Sequence, residues 1–213
     1  MNPRTWLYPT PRGLYCEPGD FYVDPAVSVD RALITHGHGD HARPGHRAAL
    51  ATPETLAVMR NRFQGMPDTS QQALKYGETV RLGEVEASLV PAGHILGSAQ
   101  VVLEYRGQRI VVSGDYKRRP DPTCPPFEPV AADLFVTEAT FAMPVFRHPP
   151  VTEEIERLLR SIALSPTRTH VIAAYALGKA SASSRCCAKP AMTRRFMSRR
   201  RRSNCAASMR RST

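Results

Sequence analysis

The chain has 213 residues, which is enough for one sizeable hydrophobic core. It has no apolar run long enough for a transmembrane helix and no signal-peptide pattern at its start, and its five cysteines lack paired spacing, which together favour a cytoplasmic location without disulfides. Residues 181–213 hold nine arginines, one lysine and no acid, so the whole net charge of +10 lies there and does not indicate that the folded part binds nucleic acid.

Short strands and two helices are predicted along the chain. Residues 13–24 form a hairpin, because residues 17–20 are turn residues between two alternating strands. A short buried strand follows at 31–34, and a helix begins after its N-cap Thr52, with Pro53 in the first turn. The remaining predicted elements are strands at 48–51, 79–82, 85–90, 100–105, 109–113, 132–138 and 171–175, and a helix at 153–164 capped by Thr152.

The densest cluster of metal-ligating side chains directly follows the strand at 31–34. Four such side chains fall within six positions, namely His36, His38, Asp40 and His41. Side chains two apart in an extended stretch point to the same side, so His36 and His38 can hold one ion. A bend at Gly39 turns Asp40 and His41 towards a second ion. Imidazole and carboxylate suit zinc and, less specifically, manganese. A surface loop that happens to hold three histidines is the alternative.

This cluster resembles the signature of the metallo-β-lactamase fold. Residues 91–98 and 111–115 resemble the next two motifs of that fold, in the right order. The resemblance implies an α/β protein, an αββα sandwich of which the chain contains the N-terminal part, with two divalent metal ions. The implied ligands are His36, His38 and His94 on the first ion, Asp40 and His41 on the second, and Asp115 between the two.

Residues 137–141 distinguish among the branches of that superfamily, which include lactonases, thioesterases, sulfatases and nucleases. This stretch, with Glu138, resembles the acidic motif of the β-CASP nucleases, which comprise RNA 3′-end processing nucleases and bacterial DNA exonucleases. Three further stretches resemble most closely the DNA ligase-associated exonuclease subgroup: residues 11–16, 93–100 and 113–122. The resemblance covers residues 5 to about 180 and implies DNA as substrate and a DNA ligase as partner.

The resemblance also implies a chemistry for the site. Two divalent ions share a hydroxide and lower its pKa towards neutrality, which provides a nucleophile for phosphorus. Asp40 is both a ligand and the acceptor that orients the attacking water, and Glu138 orients a general-acid histidine. Lys117, Arg118 and Arg119 lie just past the third metal motif and are expected to contact the substrate backbone. A solvated basic loop is the alternative for these three residues.

The sequence departs from the family pattern after Glu138. Family members return to the lactamase domain with a general-acid histidine and a last histidine ligand for the second ion. The histidines that follow here are His148 and His170, and neither stands in such a motif, so both are predicted to be structural. The second metal site is expected to be the weaker one, because it lacks this ligand.

Residues 181–213 form a run of Arg, Ser, Ala, Cys and Met with little apolar periodicity. Family members continue here into an amphipathic helix, so we hypothesise that a frameshift or other aberrant translation ends the protein early; the other frames of the gene test this. An arginine-rich arm, disordered until it binds nucleic acid, is the alternative. The predicted division is 1–146 for the metallo-β-lactamase part, 147–180 for the beginning of a β-CASP domain and 181–213 for the tail.

Hypotheses of different functional class follow from these patterns. The first is a two-metal DNA exonuclease that acts in repair alongside a ligase. The second is a catalytically incomplete, metal-binding fragment of such a nuclease. An RNA-processing β-CASP nuclease is a further alternative, whereas residues 137–141 argue against a hydrolase of small esters.

Overall fold

The computed structural model describes residues 2–63, 71–175 and 177–187. Its strands are β1 (Leu7–Thr10), β2 (Gly13–Cys16), β3 (Phe21–Val23), β4 (Arg31–Leu33), β5 (Ala48–Ala51), β6 (Gln71–Ala73), β7 (Thr79–Leu82), β8 (Val85–Pro91), β9 (Ala99–Tyr105), β10 (Gln108–Val112) and β11 (Leu134–Val136), and its α-helices are α1 (Pro53–Arg62), α2 (Val151–Leu164) and α3 (Lys179–Cys187). None of the helices in the described ranges has the length and apolar character needed to cross a membrane.

The first sheet has the strand order β1-β2-β3-β4-β5-β6. β1, β2 and β3 are antiparallel neighbours, and the strands from β3 to β6 are parallel. The predicted hairpin at 13–24 is confirmed as β2 and β3, and the predicted strands at 31–34 and 48–51 are β4 and β5. The sequence does not predict β1 and β6, because Pro9 and the two glutamines of β6 break the alternation typical of a strand.

The second sheet has the strand order β7-β8-β9-β10-β11. β7 to β10 are antiparallel neighbours, and β11 lies parallel to β10. Arg106 and Gly107 alone form the turn between β9 and β10, and both have positive φ (48° and 76°). Two-residue hairpin turns adopt this backbone, so β10 begins at Gln108, one residue before its predicted start.

The two sheets pack face to face through a shared apolar core. The first sheet contributes Leu7, Cys16, Phe21, Val23, Leu33 and Leu50, and the second contributes Val85, Ala87, Leu89, Val101, Leu103 and Ile110. Helix α1 covers the other face of the first sheet, where its Leu56 and Met59 pack in one cluster with Ala32 and Ile34. Two packed sheets with a helical layer outside confirm the predicted α/β fold class.

Residues 139–187 belong to a second unit, which contains α2 and α3. Helix α2 begins at Val151 with Pro150 at its N-cap, and no side chain caps it, so the prediction of Thr152 as the cap is wrong. Proline is already restricted to φ near −65°, which allows the helix to begin earlier than predicted. The strand predicted at 171–175 is also wrong, because this apolar stretch pairs with no strand in the described part of the chain.

The division between the two units falls between Glu138 and Ala139. The domain boundaries after residues 146 and 180 remain predictions. Helix α3 continues to Cys187, so the predicted tail begins within a helix. The rest of that tail, residues 188–213, lies outside the described residues.

Candidate metal centre

Three loops meet at one edge of the two sheets. They follow β4, β8 and β10 and contain His36, His94 and Asp115, respectively. β8 and β10 both run antiparallel to β9, so their C-terminal ends lie at the same edge. The amide of Ala99 donates a hydrogen bond to the carbonyl of Thr35 (2.8 Å), which joins the loop after β4 to the second sheet there.

The first set of donor atoms consists of three imidazole nitrogens and one carboxylate oxygen. Nδ1 of His38 lies 3.0 Å from Nε2 of His36 and 3.2 Å from Nε2 of His94. Oδ2 of Asp115 lies 3.7 Å from Nε2 of His36 and 3.5 Å from Nε2 of His94. The structure therefore brings together the three histidines expected on the first ion, with Asp115 beside them.

These separations fit a tetrahedral ion of the size of zinc. Zinc binds histidine nitrogen at about 2.0–2.1 Å and carboxylate oxygen at about 2.0–2.2 Å, so neighbouring ligands of a tetrahedron stand about 3.3–3.6 Å apart. The four distances between 3.0 and 3.7 Å bracket that value. The donor set can hold such an ion with small side-chain adjustments.

The second set of donor atoms lies on the other side of Asp115. Nε2 of His41 is 3.4 Å from Oδ1 of Asp115 and 3.8 Å from Oδ2 of Asp40. Asp115 thus presents one oxygen to each set, as a bridging carboxylate requires. The side chain of Asp40 is 74 % exposed and forms the open side of the site. The structure brings Asp40 and His41 within reach of one ion, and their role as ligands remains a prediction.

Asp24 belongs to the site and is not among the predicted site residues. Its Oδ2 lies 2.7 Å from Nδ1 of His41, and it accepts hydrogen bonds from the amide (2.8 Å) and the hydroxyl (2.6 Å) of Thr35. Because three donors already surround this carboxylate, it orients His41 rather than competing with Asp115 for a metal. With Nδ1 of His41 protonated towards Asp24, Nε2 keeps the lone pair that a cation needs.

The same hydrogen bonds fix the tautomer of His36. The hydroxyl of Thr35 has one hydrogen, which it donates to Asp24, and its oxygen lies 3.0 Å from Nδ1 of His36. Nδ1 is therefore the donor of this pair, and Nε2 of His36 faces the donor set with its lone pair. One buried threonine thus prepares His36 for binding a cation.

The protonation states follow from burial and from these contacts. Burial, followed by the nearby charge of His41, lowers the pKa of His36 to about 2, and burial also lowers the pKa of His94, so both rings are neutral. Burial lowers the pKa of His41 as well, but hydrogen bonds to Asp115 and Asp24 outweigh it and raise that pKa to about 10. The hydrogen bond from His41 lowers the pKa of Asp115 to about 2. Without a metal, a proton on His41 therefore compensates the charge of Asp115.

Helix α1 supports two of the loops. The predicted cap Thr52 is confirmed, since its hydroxyl accepts a hydrogen bond from the amide of Thr55 (3.2 Å). The hydroxyls of Thr52 and Thr55 also donate to the carbonyl of Gly97, in the loop of His94 (2.7 and 2.9 Å). At the other end of the helix, Nη2 of Arg62 donates to the carbonyl of Gly37 (2.7 Å). The helix therefore sets the position of both histidine loops.

Glu138 is the last residue of the first unit. Its negative charge partly opposes the effect of burial on the pKa of His94. Its catalytic role remains a prediction.

The two later histidines belong to the second unit, where each has local contacts. The ring of His148 packs edge-on against Phe141, with 5.2 Å between the centroids. Nε2 of His170 lies 3.0 Å from the hydroxyl of Ser161. The prediction that both histidines are structural remains a prediction.

The three basic residues after the third metal motif differ in their surroundings. The ammonium of Lys117 pairs with the carboxylate of Asp121, whereas Arg118 and Arg119 are exposed. The structure therefore shows an ionic partner for Lys117 and places Arg118 and Arg119 on the surface. Their contacts with a substrate remain a prediction.

A comparison with protein families identifies the fold. The family model of the metallo-beta-lactamase superfamily matches residues 24–170, which include both donor sets and Asp24. The chain belongs to the metallo-β-lactamase superfamily. The resemblance predicted from the sequence is thereby confirmed at the level of the superfamily.

Curated relatives of this metallo-β-lactamase chain carry the names of enzymes that act on nucleic acids. A probable DNA ligase of Opitutus terrae is 29% identical over 179 residues, which are 82% of this chain and 17% of that protein. Ribonuclease TTHA0252 of Thermus thermophilus is 36% identical over 57% of this chain and 34% of its own length. Endoribonuclease YSH1 of Gibberella zeae is 27% identical over 75% of this chain and 19% of its own length.

These relatives confirm the predicted resemblance to nucleases of the superfamily, including the DNA ligase-associated group. The matched region spans 34% of the length of the ribonuclease and 17% and 19% of the other two relatives. This metallo-β-lactamase chain therefore matches only about a third or less of the length of each relative.

Proposed function

We propose that the chain is a metal-dependent phosphodiester hydrolase that acts as a DNA exonuclease. The observation that carries this proposal is the position of Asp115, whose Oδ2 faces Nε2 of His94 at 3.5 Å while its Oδ1 faces Nε2 of His41 at 3.4 Å. A carboxylate between two donor sets suits a pair of cations a few ångströms apart, which is the arrangement of two-metal phosphodiester hydrolysis.

Two divalent cations, zinc in the first place and manganese as the alternative, supply an activated water at neutral pH and neutralise charge on the phosphate oxygens. His36, His38 and His94 offer imidazole nitrogens to the first ion, and the carboxylate of Asp40, on the open side, accepts the proton of the attacking water and orients it. Glu138, near His94, is suited to orient a proton donor for the leaving oxygen.

Several features favour a nucleic acid over a small ester. Basic residues 117–119 directly follow the turn that carries Asp115, where they can contact a phosphate backbone. The relative that matches the largest share of this chain among those described above is named a probable DNA ligase, which favours DNA as substrate and a ligase as partner. RNA is the second candidate, because two of the relatives are named ribonucleases.

The test uses the full chain loaded with zinc or with manganese. Single-stranded DNA and RNA of one sequence, labelled at either end, are incubated with the protein in the presence and absence of EDTA. We expect digestion of the DNA that EDTA stops, and a loss of at least about a hundredfold in rate with Asp115→Asn. The matched control is Asp30→Asn, because Asp30 is exposed and precedes β4, at the end of that strand away from the metal centre.

The outcomes separate the alternatives. Faster digestion of RNA than of DNA favours the RNA-processing function. A protein that binds two ions but digests neither substrate is the catalytically incomplete fragment. Digestion that persists in EDTA, or that Asp115→Asn leaves unchanged, contradicts the proposal.

A further inference from the structure

A buried carboxylate that takes no part in either donor set pairs with Lys117, whose amide is bonded to the loop of His94. The side chain of Asp121 is only 5% exposed, although it stands six residues after Asp115 in a loop. Its Oδ2 pairs with the ammonium of Lys117, and its Oδ1 accepts hydrogen bonds from the amide (2.9 Å) and the hydroxyl (2.5 Å) of Thr123. A carboxylate buried with partners on both oxygens has a fixed position.

The backbone of Lys117 is held against the loop of His94 as well. Its amide donates to the carbonyl of Ala92 (3.0 Å), two residues before His94. The approach is so close that a Cβ on Gly93 would lie 2.4 Å from the carbonyl oxygen of Lys117. The side chain of Lys117 remains 37% exposed, so solvent or a substrate reaches it.

We propose that Lys117 is a phosphate-binding residue and that Asp121 is the positioning residue that holds it. This inference rests on the proposed function, since it assigns the phosphate contact next to the scissile bond. An ammonium carries three N–H donors, and the pair with Asp121 takes one of them. A lysine on a flexible stem loses rotamer freedom when it binds a phosphate, and a lysine already fixed by a buried partner loses less. Arg118, which is exposed, contributes general attraction to the backbone instead.

The test measures binding of the full, zinc-loaded chain to a single-stranded phosphorothioate DNA, which keeps its charge but resists hydrolysis. We expect Lys117→Met to weaken binding about threefold to tenfold and to lower the slope of log K against log salt by about 0.7, the value for one phosphate contact on a single strand. On normal DNA, the same variant raises KM by a similar factor.

The direction in which Asp121→Asn changes DNA affinity decides between two roles of Asp121. This substitution removes a negative charge near a polyanion, so a role in overall charge alone predicts tighter DNA binding. A positioning role predicts weaker binding, because Lys117 loses its ionic partner. Thr123→Val leaves the charge unchanged but removes the hydroxyl that bonds to Asp121, so it loosens that carboxylate. It is therefore also expected to weaken DNA binding. When Asp121→Asn or Thr123→Val is added to Lys117→Met, the double variant should bind DNA no more weakly than Lys117→Met alone.

The matched control is the exposed pair of Asp30 and Arg47, whose side chains are 3.6 Å apart before β4 and β5. Asp30→Asn and Arg47→Met should leave KM unchanged, and thermal unfolding shows that every variant is folded. If the unaltered protein binds no DNA, the proposed function and this inference both fail. If it binds and digests DNA, but Asp121→Asn and Thr123→Val bind at least as tightly, only this inference fails.

Discussion

Oδ2 of Asp24 lies 2.7 Å from Nδ1 of His41, on the side of the ring away from Asp115. The two carboxylates thus contact opposite nitrogens of one imidazole, and only Nε2 faces the metal centre. Asp24 follows β3, which pairs in parallel with β4, so it stands next to the loop that carries His41. A residue outside the metal motif therefore determines the orientation of a ligand inside it.

Replacement of this orienting carboxylate should weaken the second metal site. We expect Asp24→Ala to lower the affinity of the more weakly bound zinc ion about tenfold to a hundredfold, the usual effect of losing a partner of a metal-binding histidine. Competition with a chromophoric chelator measures it. Asp30→Ala, at an exposed position, is the control. An unchanged affinity in Asp24→Ala would show that His41 needs no partner or binds no metal.

Separate substitutions in the two donor sets should remove different ions. The unaltered chain is expected to retain about two zinc ions. His41→Ala should retain about one, because His41 belongs only to the second donor set. Asp115 offers one oxygen to each set, so Asp115→Ala weakens both sites and should retain fewer than one ion. Elemental analysis after dialysis counts the ions, with His170→Ala as a control in the second unit. Two ions retained by His41→Ala would contradict the assignment of the second set.

Removal of metal should destabilise the first unit, because the first donor set joins loops from both sheets. Ligands that bind only the folded state stabilise it by about 2.7 kcal/mol at a hundredfold excess over Kd, so EDTA is expected to lower Tm by about 5–10 °C. Calorimetry checks this value. In Asp115→Ala the shift should be much smaller, and an equal shift would indicate that EDTA acts elsewhere.

Alkaline pH should destabilise the protein through Cys16, which is fully buried. Burial raises the pKa of its thiol to about 12 from an ordinary value of 9.0. The folded state therefore keeps the proton while the unfolded state loses it, so this stabilisation is complete below pH 9 and decreases above it. We expect a loss of about 1.4 kcal/mol in the free energy of unfolding by pH 10.

Urea unfolding of the native chain and of Cys16→Ala at pH 8 and pH 10 isolates this effect. The difference in stability between the two proteins should narrow by that amount at the higher pH. Cys124→Ala is the matched control, because Cys124 is only partly buried and should show a smaller change. A difference that stays constant with pH would mean that the thiol ionises equally in both states.

The parts of the site that depend on local order were predictable from the sequence. His36 and His38 alternate after a buried strand, and His94 and Asp115 each follow a strand, so family motifs and strand ends together indicated one metal centre. The alternating strands of the second sheet and the capped helix α1 were predictable for the same reason: their signals lie within a few neighbouring residues.

The remaining parts depend on contacts between distant segments. Asp24 joins the site only because β3 and β4 are parallel, and Arg62 reaches Gly37 from the end of α1, which no local pattern reveals. The stretch at 171–175 shows the converse. Its β-branched and aromatic residues have strand propensity, but a strand also needs a neighbour, which this stretch lacks in the described part of the chain.

Thr35 connects more parts of the molecule than its size suggests. Its carbonyl, amide and hydroxyl reach Ala99, Asp24 and His36, and a Cβ on Gly114 would lie 2.6 Å from its Oγ1. Thr35 therefore leaves no room for a side chain at position 114, and a valine at position 35, although similar in shape, would abolish the hydroxyl contacts. Serine, which keeps the hydroxyl, is therefore the substitution best tolerated at position 35. The residue at this position should thus indicate whether a divergent homologue has kept the metal centre.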